Sequence, residues 1–217
     1  MQIGRAATGS FPVLFATASG RRFWAKWPGN PHGAQSLLHE VVVALLGWRL
    51  QAPVPSCALI EVDRSLVAGL RSGDGTSLPG GTWFGLESVE GTEHTAIQGR
   101  HRANADRLAR YLGLWHLCLG ADAQFMYEVT AGRRMWSIDH GLWFDGTEGP
   151  WTPDQLSHMS HFAWDDPPWE GPRAIDPTEL HNVADDLDRI TKADLNLIGD
   201  SVPLAWQVPD DDIEALK

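Results

Sequence analysis

Arg133-Arg134-Met135-Trp136-Ser137-Ile138-Asp139-His140-Gly141 is the stretch on which the reading of this chain turns. Residues 134 to 138 read as a short strand, because aromatic and β-branched side chains suit an extended backbone. The strand stops at an acid, an imidazole and a glycine. Such an ending holds a carboxylate at the edge of a cleft: the strand fixes the backbone, and Gly141 lets the chain turn away. Taken alone the pattern is also an ordinary strand end. Its meaning depends on what the rest of the chain places beside it.

Just upstream, residues 125 to 130 form the other arm of a hairpin about Ala131-Gly132. A helix over 103–119 precedes it, with Leu108, Leu112, Trp115 and Leu119 on the buried face and Tyr111 and Cys118 beside them. Gly120 ends that helix, and Asp122 and Gln124 follow in the loop. At the N-terminus, residues 1–7 suggest a strand and Thr8-Gly9-Ser10-Phe11-Pro12 a loop. Residues 13–18 and 21–27 then pair about the Ser19-Gly20 turn. Alternation puts Arg22, Trp24 and Lys26 on one face and Phe23, Ala25 and Trp27 on the other.

A helix over 34–50 carries a stripe of Leu38, Val41, Leu45 and Trp48. Glu40 lies beside the stripe, either as a solvated flank residue or reaching back to a cation on the preceding strand. Pro53-Val54-Pro55 ends this helix. Residues 57–62 and 82–89 read as strands, with a short helix capped by Asp63 and a Gly-, Ser- and Asp-rich loop over 71–81 between them. Beyond Gly141 the chain is loop-rich, with a short helix after Thr152-Pro153. Helices follow from Asp176-Pro177, with Leu180, Val183 and Leu187 as its stripe, and from Thr191, where Asp194 makes a loose capping box.

The 217 residues suit one domain or two small lobes sharing a cleft. The net charge of -11 disfavours binding to phosphate backbones, so nucleic acid is not an expected partner. A nucleotide remains compatible, because a local lysine and a divalent cation set the field in a cleft. No apolar run approaches a membrane span and no secretory signal is visible, so a cytoplasmic location is expected. Cys57 and Cys118 lie in apolar stretches and read as buried free thiols. Of the eleven tryptophans, Trp24, Trp27, Trp48, Trp83, Trp115 and Trp136 fall in periodic segments and read as core. Trp143, Trp151, Trp164, Trp169 and Trp206 fall among prolines and glycines and read as pins for loops.

The order of these parts carries information. A hairpin bears Lys26, a helix bears Glu40, an acid at 122 follows the next long helix, and a second hairpin ends at Asp139. That is the order in a bilobal kinase, where a lysine neutralises phosphate charge and a glutamate orients it. There one acid addresses the acceptor hydroxyl and another binds magnesium. Catalysis of that kind is mainly positioning and charge stabilisation. The chain resembles the HipA-like kinases in a compact stand-alone form, and more distantly the phosphoinositide-kinase-like fold. The resemblance rests on Gly9-Ser10-Phe11-Pro12, Phe23-Trp24-Ala25-Lys26, Leu38-His39-Glu40-Val41, Leu50-Gln51-Ala52-Pro53-Val54-Pro55, Trp83-Phe84-Gly85 and Ser137-Ile138-Asp139-His140-Gly141, over roughly residues 1–145.

The resemblance implies an α+β, bilobal protein-kinase-like fold. Residues 1–90 would form a small antiparallel-sheet lobe with one helix, and 91–217 a mainly helical lobe with a catalytic hairpin. It implies ATP and Mg2+ as cofactors and a serine or threonine hydroxyl of a protein as acceptor. Gly9 and Ser10 would cover the phosphates. Lys26 would contact the α- and β-phosphates and pair with Glu40, and Trp83 and Phe84 would lie near the adenine. Asp139 would hold magnesium and Asp122 would stand at the catalytic aspartate's place. The family commonly has an arginine after that aspartate and a metal-binding asparagine a few residues on. Here Ala123 follows, no asparagine lies before Asp139, and Gln124 is the nearest amide that could serve catalysis and the metal. A nucleotide-binding pseudokinase with a regulatory or interaction role is therefore an alternative. A structural module in which Lys26, Glu40, Asp122 and Asp139 do not converge is another.

Other constellations read plainly. His158 and His161 have helical spacing but no third ligand beside them, and His116 and Cys118 face different sides of a helix. His140 is expected to steady the Asp139 loop by hydrogen bonding. No Gly-x-Ser-x-Gly elbow supports a hydrolase.

Overall fold

Ser19-Gly20 turns the chain where the sequence places a hairpin, with Gly20 in the left-handed region at φ 83°. A computed structural model describes the chain except for residues 1, 6–11, 73–74, 100, 130–131, 145–148, 160–163 and 172; for residues 2–5 the strand alone is described. The strands β1 (Gln2–Arg5), β2 (Val13–Ala16) and β3 (Arg22–Lys26) lead into helix α1 (Gly33–Arg49). Then come β4 (Cys57–Val62) and β5 (Gly81–Glu87). These five strands form one antiparallel sheet in the order β1-β2-β3-β5-β4. Asp63 caps only a single short turn, its carboxylate accepting from Ser65 N at 2.7 Å.

The second half adds β6 (Gly91–His94), β7 (Ile97–Gln98), α2 (Ala105–Leu117), β8 (Gln124–Glu128) and β9 (Met135–Ile138). The strands β6, β8 and β9 make an antiparallel three-stranded sheet, with Gln124 opposite Ile138. After α3 (Pro153–Met159), the two-residue β10 (Trp169–Glu170) pairs in parallel with β7. Helices α4 (Pro177–Asp188), α5 (Lys192–Asp200) and α6 (Asp210–Ala215) complete the chain. Asp176 and Thr191 cap α4 and α5, the latter in a full capping box with Asp194. The architecture is α+β with mainly antiparallel sheets. Among the described residues no helix is long and apolar enough to cross a membrane.

Two apolar clusters lie on the two faces of the first sheet. Val13, Phe15, Ala25, Trp27 and Trp83 fill the smaller one, with Phe15 edge-on to Trp83. The larger one gathers α1, α2 and the β8–β9 hairpin, including Leu38, Val42, Leu108, Tyr111, Phe125 and Trp143. Polar ties join the parts: Ser137 N donates to Pro53 O at 2.6 Å. Arg110 binds Leu50 O at 2.7 Å, Asp186 at 2.9 Å, and Glu179.

Several expectations are corrected here. Trp48 is 80% exposed rather than core. Helix α1 is buried on all sides over Gln35–Ala44, so the stripe does not single out its packed face, and in its last turn Leu46 and Gly47 stay buried while Trp48 faces solvent. Cys57 is half-buried, and only Cys118 is fully enclosed. Leu180 of the expected α4 stripe is 39% exposed, whereas Val183 is buried. The strands β6, β7 and β10 were not evident from the sequence, because they are short, polar or isolated and exist through pairing with distant partners.

Gly91 shows how closely β6 approaches β8: a Cβ there would stand 2.4 Å from the Tyr127 carbonyl oxygen. Because the clash is with backbone, Gly91→Ala is expected to cost about 1–3 kcal/mol. Urea unfolding measures this, and an unchanged midpoint would mean that β6 lies further from β8.

Candidate active site

Alternation along β3 buries Phe23 and Ala25 and leaves Trp24 and Lys26 facing a cavity of about 510 Å³. Helix α1 brings Glu40 to the same place. Lys26 is 9% and Glu40 1% exposed, and the ammonium donates to Glu40 Oε1 and, at 2.5 Å, to Asp139 Oδ1. Burial works against charge on both groups, and their proximity overcomes it. Lys26 is desolvated, yet Asp139 and then Glu40 raise its pKa. Glu40 is likewise desolvated, yet the Lys26 ammonium beside it holds its carboxyl down at about 2.

Asp139 makes the turn at the end of β9 itself, in the left-handed region at φ 56°. The expectation that Gly141 supplies this turn is corrected, since Gly141 has no such backbone. A Cβ on Gly141 would meet Ser36 Cβ and Glu40 Oε1 at 3.4 and 3.5 Å, so its role is a near approach to α1. Asp122 is also left-handed, at φ 45°. Aspartate tolerates this region better than most residues, and such backbone collects at functional sites. The Gln124 amide donates to Asp122 Oδ2 at 3.0 Å.

Lys26, Glu40, Phe84, Asp122, Gln124 and Asp139 all line the cavity. Trp83 does not: it lies on the other face of the sheet against Phe15 and Trp27, because neighbours along a strand point to opposite sides. Gly9 and Ser10 lie outside the described residues, as does His161. The cavity also takes Trp24, Leu86, Met126 and Ile138 as apolar walls, which the sequence reading did not assign to a site. The available signal was the period of two, which puts Leu86 beside Phe84 and Met126 beside Gln124. Glu93 and Thr95, on and just after β6, complete a wall that the sequence did not announce.

With the geometry in view, a comparison with protein-family models matches residues 3–112 to the HipA-like kinases. The chain belongs to the HipA-like kinase family. No curated protein matches it. The span shared with the HipA-like kinases includes Lys26 and Glu40 and ends within α2. Asp122, Gln124 and Asp139 lie beyond it, so their place in the site stands on the cavity geometry.

Oxygen donors suited to a hard cation are present in Asp122, Asp139 and the Gln124 carbonyl. Among the described residues no group of three or more His, Cys, Asp or Glu could hold a metal ion unaided. A cation here would need water or phosphate oxygens as well, which is how magnesium is commonly bound. The residues therefore fit magnesium better than a metal that demands a complete protein cage.

A second network steadies the turn from behind. His39 Nδ1 donates to Gly141 O at 2.9 Å, and Trp151 Nε1 donates to His39 Nε2 at 3.0 Å. The ring is thus held neutral with its proton on Nδ1. Burial lowers its pKa to about 4, against a smaller opposing effect of the Gly141 carbonyl. An unfolded His39 takes up a proton below its ordinary value of 6.5, and the folded one does not until about 4. The stabilisation is therefore complete above 6.5 and declines as the pH falls toward 4, by about 3 kcal/mol in all. Chemical unfolding between pH 7 and 4 measures this slope, which is expected to flatten in His39→Asn.

The Lys26–Glu40 pair allows a sharper test. Removing one partner from a buried pair leaves an uncompensated charge and costs about 3–5 kcal/mol. Lys26→Met, which strands the buried Glu40, is expected to destabilise the fold in that range, and Glu40→Gln less, because Asp139 still pairs the ammonium. The double variant is expected to lose less than the sum, and additive losses would contradict the coupling.

Proposed function

We propose that this chain is an ATP- and magnesium-dependent kinase that phosphorylates a serine or threonine hydroxyl on a protein. The observation that carries the reading is Lys26, bound at once to Glu40 from α1 and to Asp139 from the end of β9. In this reading the chain works as two lobes, residues 1–90 and 91–217, with the cavity between them. Phe84, Leu86, Met126 and Ile138 take the base between apolar walls. Lys26 binds the phosphates, and Glu40 keeps its ammonium aimed at them. Asp139, with the Gln124 carbonyl, holds magnesium, which supplies charge neutralisation on the transferred phosphoryl group. Asp122 accepts a hydrogen bond from the acceptor hydroxyl and positions it. Gly9 and Ser10 are assigned to the phosphates. A protein partner suits the acidic chain better than nucleic acid, and free thiols suit the cytoplasm.

The Lys26–Asp139 contact has a thermodynamic consequence. Phosphate at Lys26 and a cation at Asp139 both compete with that ion pair. Each ligand alone must break it and leave one charge unpaired, whereas the two together satisfy both charges. Their affinities are therefore coupled, and the coupling is reciprocal.

A second reading has its own support. Ala123, which follows Asp122, is buried, and no asparagine stands between Asp122 and Asp139. A pseudokinase that binds the nucleotide and signals to a partner protein would keep the cleft and lack transfer. Calorimetry with ATP, with magnesium and with both decides the binding question. Binding is expected to be tightest with both ligands present, and Asp139→Asn is expected to remove the magnesium dependence. Failure of the folded protein to bind any of these combinations would overturn the nucleotide reading. Phosphate transfer lost in Asp122→Asn with binding intact would support the kinase. Binding without transfer in the unaltered protein would support the pseudokinase.

A further inference from the structure

His140 is fully buried, and its two ring nitrogens have unequal surroundings. Nε2 lies 2.9 Å from the Ser137 hydroxyl. Nδ1 has no hydrogen-bond partner, yet it stands 3.7 Å from Glu40 Oε2. That distance is too long for a hydrogen bond. The ring itself is fixed, packed edge-on against Trp143 with centroids 4.8 Å apart. Glu40 is equally enclosed, and its other oxygen, Oε1, is the one bound to Lys26. A fully buried polar atom left without a partner disfavours the arrangement that leaves it so. Here the missing partner is a carboxylate oxygen within a small movement.

We propose that His140 is a positioning residue for Glu40, whose second oxygen closes onto His140 Nδ1 when ligands draw Asp139 away from Lys26. The inference rests on the nucleotide reading above. In this structure Lys26 is held from two sides, by Glu40 and by Asp139. Once Asp139 turns to a cation, Glu40 alone aims the ammonium, and a carboxylate anchored at one oxygen can swing. A bare Nδ1 would set its lone pair against the Glu40 carboxylate 3.7 Å away, so the ring proton belongs on Nδ1 and Nε2 then accepts from the Ser137 hydroxyl. Closing that gap anchors both carboxylate oxygens and satisfies the buried nitrogen. His140 therefore favours the liganded arrangement over the one in which Asp139 binds Lys26, although it need touch neither ligand.

His140→Phe keeps a ring against Trp143 and removes both nitrogens. His140→Asn restores an N–H donor near the Nδ1 position. Ser137→Ala releases the ring from its tautomer. Calorimetry with magnesium and a non-hydrolysable ATP analogue, together with thermal unfolding of the empty protein, separates positioning from structural support. The phenylalanine variant is expected to unfold no earlier than the unaltered protein while binding about tenfold more weakly. The asparagine variant is expected to recover most of that loss, and Ser137→Ala to show a smaller loss in the same direction. Unchanged affinity in folded His140→Phe would overturn the positioning role and leave the nucleotide reading standing. If the phenylalanine variant does not fold, unchanged affinity in Ser137→Ala overturns it instead. Absence of binding in the unaltered protein would overturn both.

Discussion

A lysine ammonium and a glutamate carboxylate, both taken out of water, set the terms for this fold. Neither Lys26 nor Glu40 can be buried alone, because desolvation of an unpaired charge costs more than a small domain can spare. Together they tie β3 to α1, and Asp139 extends the tie to the β8–β9 hairpin. Replacing such a pair with apolar side chains often leaves a fold as stable or more so. Stability is thus a weak reason for its presence. Charges arranged to face a cavity gain more from what the cavity can hold.

Helix α1 is the element through which the parts communicate. Its Glu40 faces the cavity, His39 holds the Gly141 carbonyl, and Gln35 exchanges hydrogen bonds with the Trp151 backbone and with Asp212 of α6. A line of polar contacts therefore runs from the C-terminal helix to the residues after Asp139. Because nearly every side of α1 is enclosed, it has little freedom to shift without disturbing the larger apolar cluster. Left-handed backbone at Asp122 and Asp139 persists for the same reason: the surroundings over-determine it.

Much of the local structure was legible. The hairpin of β2 and β3, the extent of α1 and α2, and the caps at Asp176 and Thr191 follow from periodicity and capping chemistry, which act within a few residues. Alternation also told which face Lys26 takes. Trp48 misled, because a periodic stripe marks a face by residue type and does not show which of its positions the neighbouring elements cover. Trp83 misled in another way: it adjoins Phe84 in sequence and faces the opposite side of the sheet. The cavity wall from β6 was invisible, since Gly91-Thr92-Glu93-His94 has no apolar rhythm and becomes a strand by pairing with β8.

The sequence by itself determined the local elements, the charge balance and the chemical types available for a site, and through the order of those types it pointed to the HipA-like kinases. Only the tertiary structure decided which charges meet. Lys26 and Asp139 are 113 residues apart, and no local signal specifies their contact. It arises because α1, packed against β5, α2 and α5, and the end of β9 bring two carboxylates to the same buried ammonium. The structure likewise decided that Asp139 makes its own turn and that His140 Nδ1 is left facing Glu40 without a partner. Backbone dihedrals and side-chain partners of that kind follow from the packing of distant segments, and residue type alone does not encode them.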